Sequence, residues 1–143
     1  EPLLQSQTPE LIGKLLDDGY TVLMETNGSR AIGIVDARCT RIVDVKCPSS
    51  GQADENRFEN LAIITPNDEV KFVIGNRGDY DYAKDVISTR LSHGSGLKPP
   101  LISPSSGRLN PESLARWILE DHLDARLQIQ LHKVIWGPEK RGV

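Results

Sequence analysis

Three short polar segments carry most of the side chains with which this chain could bind a ligand, and each follows an apolar run. They are residues 25–29 (ETNGS), 46–51 (KCPSSG) and 130–133 (QLHK). Together they offer carboxylate, amide, ammonium and imidazole groups. In α/β folds, ligands bind at the carboxyl ends of parallel strands, where loops vary without disturbing the core. We therefore expect the three segments to line one pocket.

The elements that must position these segments follow from apolar periodicity and turn residues. A helix is predicted from an N-cap at Thr8 to Gly19, another from Asp79 or Asp81 to about Leu91, and a long one from Asn110. The stretch 53–61 is a further helical candidate. Strands are predicted at residues 20–24, 42–46, 69–74, 101–103 and 127–135. This alternation favours a parallel sheet, and five strands are too few for a closed barrel of eight.

Composition narrows the class of protein. A chain of 143 residues with net charge −3 is expected to form a single domain over 1–143. The acidic balance gives no support for nucleic-acid binding. No apolar run approaches the ~20 residues that span a bilayer, and no secretory leader is visible. With two cysteines that need not pair, we expect a cytoplasmic, soluble protein.

Five motifs, in order along the chain, resemble one known family. Glu1-Pro2 is similar to the end of the Gly-Gly-Glu-Pro motif of radical S-adenosylmethionine (SAM) enzymes. Residues 25–28 (ETNG), 44–51 (DVKCPSSG), 68–74 (DEVKFVI) and 130–137 (QLHKVIWG) follow. The series resembles the 7-carboxy-7-deazaguanine synthase family. That resemblance implies a partial (β/α) radical-SAM-type barrel with a mostly parallel sheet, of which this chain would be the C-terminal two-thirds, with the first two strands missing.

The resemblance also implies an activity. The family converts 6-carboxy-5,6,7,8-tetrahydropterin to 7-carboxy-7-deazaguanine with release of ammonia, a carbon–nitrogen lyase step in queuosine biosynthesis. It uses SAM, a [4Fe-4S] cluster and Mg²⁺, an electron donor such as flavodoxin, and a homodimeric assembly. Cys39 and Cys47 are too few for the cluster, which needs three thiolates from one loop, and the family's magnesium-binding threonine would lie before Glu1. We therefore expect the chain alone to be inactive.

Site residues are carried over from the family motif by motif, without a catalytic residue or a metal ligand. Those assigned to the substrate are Glu25, Asn27, His132 and Val143, the last through its terminal carboxylate. Those assigned to SAM are Glu1, Lys46, Cys47, Pro48, Ser49, Ser103, Pro104 and Ser105. The residues by themselves leave structural roles open: a turn-stabilising glutamate at 25, a solvated loop at 46–51 and a satisfied histidine at 132.

Two other functions remain open at this point. An activase of a glycyl-radical enzyme shares the Glu-Pro and Asp-x-Lys elements but would bind a protein loop. A non-catalytic nucleotide-binding α/β module would hold a similar ligand without chemistry. The ending Gln-x-His-Lys-x-x-Trp at residues 130–136 favours the synthase.

Overall fold

The computed structural model describes residues 1–91, 96–137, 139 and 140. Their five strands form one open sheet in which every pair of neighbours is parallel. The α/β class and the parallel sheet are thus confirmed, and the open sheet agrees with a partial barrel. In chain order, which is also sheet order, the strands are β1 (Leu23–Thr26), β2 (Thr40–Val45), β3 (Glu69–Ile74), β4 (Leu101–Pro104) and β5 (Arg126–Leu127).

Because the strands are parallel, the sheet has two distinct ends. We call the end that carries the loops after β2, β3 and β4 the carboxyl edge, and the opposite end the amino edge. The helices are α1 (Thr8–Asp17), α2 (Arg77–Arg90), α3 (Pro111–Glu120) and α4 (Leu131–Trp136), and short 3-10 turns include Pro48–Ser50, Ala53–Glu55 and Phe58–Ile63.

The helix starts depend on local capping. The side chain of Asn110 accepts a hydrogen bond from the Glu112 amide, with proline at the first helical position, so the predicted start of α3 is confirmed. The predicted cap of α2 is wrong, because Asn76 accepts from the Asp79 amide instead. Thr8 is the first residue of α1 rather than its cap.

The last predicted strand, 127–135, is also wrong over most of its length. Only Arg126 and Leu127 pair with β4, and the Gln128 amide donates to the Ile102 carbonyl. Further along β4, Pro104 has no N–H to offer. The chain therefore turns to local hydrogen bonds and forms α4. The other difference in helical content is at 53–61, which forms two 3-10 turns.

The two faces of the sheet differ in what covers them. Buried side chains of one face, such as Val43, Phe72 and Ile102, pack against apolar residues of α2 and α3, and Met24 packs against Ile12 of α1. The alternate residues point to the other side, which we call the open face. The open face carries ionisable side chains, among them Glu25, Asp44, Glu69 and Lys71.

Candidate functional site

A cavity of about 180 Å³ lies at the carboxyl edge, between the loops that follow β2, β3 and β4. We call it the carboxyl-edge cavity. Four residues that the sequence assigned to SAM line it, together with Asp44 from the open face and Arg108 from the loop after β4. The full lining is Asp44, Val45, Lys46, Cys47, Ser49, Ser50, Val73, Gly75, Ser105 and Arg108.

Two buried polar atoms on this side of the sheet have no hydrogen-bond partner within the described part of the chain. Asp44 accepts from the Lys46 ammonium at 2.6 Å through Oδ2, but its Oδ1 is unpartnered. Ser103 is fully buried, next in register to Val73, and its Oγ is also unpartnered. A buried polar atom without a partner costs about 1–3 kcal/mol, so both atoms favour a bound polar ligand.

The backbone of Lys46 is held by a residue that sequence reasoning did not identify. Asn56 accepts from the Lys46 amide at 2.8 Å and donates to its carbonyl at 2.7 Å, as a neighbouring strand would. This fixes where the chain leaves β2. The next residue, Cys47, is buried in the core. Burial first, and then the negative charge of Asp79, raise the pKa of the Cys47 thiol to about 12, so it is no nucleophile at neutral pH.

Ser49 is fixed by two residues outside the sequence motifs. Asp79 accepts from the Ser49 amide at 2.9 Å and from its hydroxyl at 2.5 Å. Arg108 donates to the Ser49 carbonyl at 3.3 Å. Burial by itself would raise the pKa of Asp79, but the hydrogen bonds from Ser49 and from the Gly75 amide outweigh it, and the pKa lies below its usual value.

At the end of β1, the predicted ligand residues already have partners inside the chain. The Glu1 carboxylate accepts from the Thr26 hydroxyl at 2.8 Å and from the Asn27 amide at 2.7 Å. The Asn27 side chain accepts from the amide and hydroxyl of Ser29. This stabilises the turn that leaves β1, so a role of the Glu1 or Asn27 side chain in ligand binding requires an exchange of partners.

Glu25 is half-exposed on the open face and accepts from the Lys71 ammonium at 2.7 Å. Lys71 is in register with Asp44 on the neighbouring strand. Glu25 and Asp44 therefore lie on the same face of the sheet, and the Lys71 side chain reaches across β2 to Glu25. Lys71 thus connects β3 to β1.

His132 does not lie on a strand, as the sequence predicted, but in α4 after β5. β1 and β5 are the two outermost strands of the sheet. Glu25 lies on the first of them and His132 follows the last, so the whole width of the sheet separates their strands. The cavity lined by Lys46 includes neither of them. The expected single pocket for all three segments is thus found only in part: Glu25 and Lys46 belong to neighbouring strand ends, and His132 is apart.

The remaining predicted residues lie around this centre. Pro104 lines a second hollow of about 210 Å³ with Gln130 and Lys133, and the Oε1 of Gln130 is buried without a partner in the described residues. Pro48 lines a shallow hollow on the outer side of its turn. Val143 lies outside the described residues.

The cysteines do not fit an iron–sulfur cluster. Cys39 and Cys47 are each buried, in two separate apolar clusters, so they cannot share one group of iron atoms. Across residues 1–91, 96–137, 139 and 140, no three His, Cys, Asp or Glu side chains are grouped so that they could hold a metal ion. In the same residues, no helix has the length and apolarity to cross a bilayer.

Comparison with known proteins gives the family. No family model matches the chain. It is 42% identical over 158 residues to the 7-carboxy-7-deazaguanine synthase of Koribacter versatilis, covering all of this chain and 69% of that protein. It is 44% identical over 147 residues to the Chlorobaculum tepidum protein of the same name, covering 66% of it, and 38% identical to that of Methanospirillum hungatei, covering 56%.

The chain thus spans about two thirds or less of the length of these relatives. The similarity to the first two extends over the whole chain, and the aligned region therefore covers the loops of the carboxyl-edge cavity. As the order of its motifs predicted, the chain belongs to the 7-carboxy-7-deazaguanine synthase family.

Proposed function

We propose that this chain acts, as part of a complete radical SAM enzyme, in the conversion of 6-carboxy-5,6,7,8-tetrahydropterin to 7-carboxy-7-deazaguanine. This is a carbon–nitrogen lyase step on the route to queuosine. Relatives of that name support it. Residues 1–143 are proposed to belong to a single domain, the partial barrel, with the cluster and magnesium ligands supplied from outside them. An electron donor such as flavodoxin and a homodimeric assembly are part of the same proposal.

The observation that carries the proposal is the carboxyl-edge cavity, which Asp44 lines. Oδ1 of Asp44, and Oγ of Ser103 on the same face of the sheet, are buried without a partner among the described residues. SAM presents an ammonium group, a carboxylate and ribose hydroxyls. Oδ1 of Asp44 can accept from an ammonium or a hydroxyl, and the hydroxyl of Ser103 can donate or accept. Lys46 and Arg108, at the same cavity, supply positive charge for a carboxylate. The residues present therefore fit SAM.

Each group of residues has a defined part in this proposal. Lys46, Ser49 and Ser105 bind and orient SAM from the loops after β2 and β4. When bound, SAM supplies the deoxyadenosyl group with which the family removes a substrate hydrogen. Glu25 receives the guanidine-like N–H edge of the pterin, which can donate two hydrogen bonds to one carboxylate. Lys71 donates to the Glu25 carboxylate at 2.7 Å and so holds that side chain in place on the open face.

The test uses the full-length protein, reconstituted with iron and sulfide without oxygen. It is incubated with SAM, a reductant and the carboxypterin, and the products are separated by liquid chromatography and mass spectrometry. We expect 7-carboxy-7-deazaguanine, with none formed when S-adenosylhomocysteine replaces SAM. SAM cleavage with a protein glycyl radical and no deazaguanine would indicate the activase instead. Binding of SAM without cleavage would indicate the non-catalytic module. Residues 1–143 alone are expected not to cleave SAM.

A further inference from the structure

Asp79 is a buried carboxylate, 1% exposed, that belongs to none of the motifs behind the proposed function. It lies in the first turn of α2. Its Oδ1 accepts from the Ser49 amide, and its Oδ2 accepts from the Ser49 hydroxyl and from the Gly75 amide at 2.8 Å. One carboxylate thus joins the loop after β2 to the loop after β3.

The backbone at Gly75 leaves no spare room in this junction. A Cβ added there would lie 2.8 Å from the Ser49 hydroxyl oxygen and 3.1 Å from Oδ2 of Asp79. Such a contact is too short to persist without a shift of one neighbour. The close approach of the Gly75 backbone is therefore what allows Asp79 to bond both loops at once.

Arg108 connects the loop after β4 to Ser49, in the loop after β2. Its guanidinium donates to the Ser49 carbonyl at 3.3 Å, and its own amide donates to the Ser105 carbonyl at 3.1 Å. All the polar groups of Ser49 are thus used in a defined way. Both of its hydrogens, on the amide and on the hydroxyl, are donated to Asp79, and its carbonyl accepts from Arg108. The hydroxyl oxygen therefore has lone pairs left for a ligand but no hydrogen left to donate.

We infer that Asp79 is a positioning residue for the SAM site: it fixes Ser49 so that the Ser49 hydroxyl faces the cavity as a hydrogen-bond acceptor. This inference rests on the proposed function. A hydroxyl fixed as an acceptor selects a ligand group that donates, such as a ribose hydroxyl or an ammonium, and disfavours a carboxylate at the same point. Asp79 acts through Ser49 and does not itself touch the cofactor.

The experiment measures SAM affinity by equilibrium binding to the full-length protein. In Asp79→Asn the side-chain amide can no longer accept all three hydrogen bonds from Ser49 and Gly75, because its NH₂ group donates and would face one of these donors. Ser49→Ala removes only the hydroxyl. We expect each to weaken SAM binding about tenfold, the loss of roughly one hydrogen bond. The double variant should be no weaker than the weaker single one, because both changes remove the same contact.

The matched control is Asp81→Asn, on the same helix. Asp81 is half-exposed and, among the described residues, pairs only with Arg77 one turn away, so SAM affinity should stay within twofold of wild type. A purely structural role of Asp79 would lower thermal stability and leave the affinity of the folded protein unchanged. An unchanged SAM affinity in Ser49→Ala overturns the inference even if Asp79→Asn does not fold, because Asp79 is inferred to act through that hydroxyl.

The possible outcomes distinguish a failure of the inference about Asp79 from a failure of the proposed function. If the wild type binds SAM and both Asp79→Asn and Ser49→Ala bind it equally well, the inference is overturned together with the Ser49 contact, and the proposed reaction stands. Additive losses in the double variant also overturn it. If the wild type binds no SAM at all, the proposed function fails and the inference fails with it.

Discussion

The amino and carboxyl edges of the sheet each bury an aspartate, but the two surroundings differ. At the amino edge, Asp68 accepts from the Arg41 backbone amide and guanidinium, the latter at 2.5 Å, and from the amide and hydroxyl of Thr65. Both of its oxygens are therefore satisfied inside the chain. At the carboxyl edge, Asp44 and Ser103 each keep a buried oxygen without a partner among the described residues.

The difference shows how a structural polar network is told from a binding site. Hydrogen bonds place the pKa of Asp68 and that of Asp79 below the usual range, in both cases against the opposing effect of burial. A lowered pKa therefore does not distinguish the two edges. Unused hydrogen-bonding capacity does: both oxygens of Asp68 at the amino edge are satisfied, whereas Oδ1 of Asp44, a residue that lines the carboxyl-edge cavity, has no partner among the described residues.

The largest expected effect is a loss of stability when the buried ion pair at the amino edge is removed. Asp68→Ala leaves the Arg41 guanidinium, 5% exposed at its side chain, without its carboxylate. Removing one partner of a buried ion pair costs about 3–5 kcal/mol. We expect that loss in the free energy of unfolding of the full-length protein, measured with urea, while SAM affinity of the folded protein is unchanged. A variant of wild-type stability would show that the amino edge is not the structural one.

A second, smaller effect is expected from Gly75→Ala at the carboxyl edge. The added methyl group would lie against the hydroxyl of Ser49, and overpacking of this kind costs about 1–3 kcal/mol. SAM affinity should fall as well. The control is Gly13→Ala in α1, where a Cβ meets nothing within 4 Å and alanine should stabilise by up to about 1 kcal/mol. Equal effects of the two changes would count against a tight junction at Gly75.

Low pH should reduce the stabilisation contributed by the buried aspartate at each edge, Asp68 and Asp79. Asp68 and Asp79 have folded-state pKa values below their unfolded ones, so their stabilisation is complete above the unfolded pKa of ~3.9 and is lost as pH falls through the folded pKa. The free energy of unfolding should therefore decline more steeply below pH 4 in the wild type than in Asp68→Asn. Parallel curves in urea titrations between pH 7 and pH 3 would contradict this.

No loss of stability is expected at Ser103. Because its hydroxyl is buried without a partner in the described residues, Ser103→Ala should not lower the free energy of unfolding, since it removes a desolvation cost of about 1–3 kcal/mol. SAM affinity should nevertheless fall several-fold. A loss of stability well above 1 kcal/mol would mean that the hydroxyl has a structural partner and that the carboxyl edge resembles the amino edge.

The sequence predicts those parts of the molecule that local patterns determine. β3 follows from the alternation in residues 69–74, and α3 follows from its asparagine cap and proline. The carboxyl-edge loops were identified because strand ends are marked by polar residues, and four of the assigned residues do line the cavity. These features need only neighbours in sequence to be recognised.

What the sequence does not predict depends on contacts between distant residues. Asp79 acts on Ser49 across 30 positions, and Arg108 acts on the same serine across 59; no local pattern marks either. The helix at His132 was missed because residues 127–135 alternate like a strand, while the length of β5 is limited by the partners that β4 offers. Tertiary context decided each case.

The central claim is that the carboxyl edge, and not the amino edge, is the ligand site. The most direct measurement is a crystal structure of the full-length protein with S-adenosylhomocysteine. The ligand is expected between the loops after β2, β3 and β4, with Oδ1 of Asp44 and Oγ of Ser103 each within 3.2 Å of one of its polar atoms. A ligand bound elsewhere, with both oxygens still unpartnered, would contradict the account.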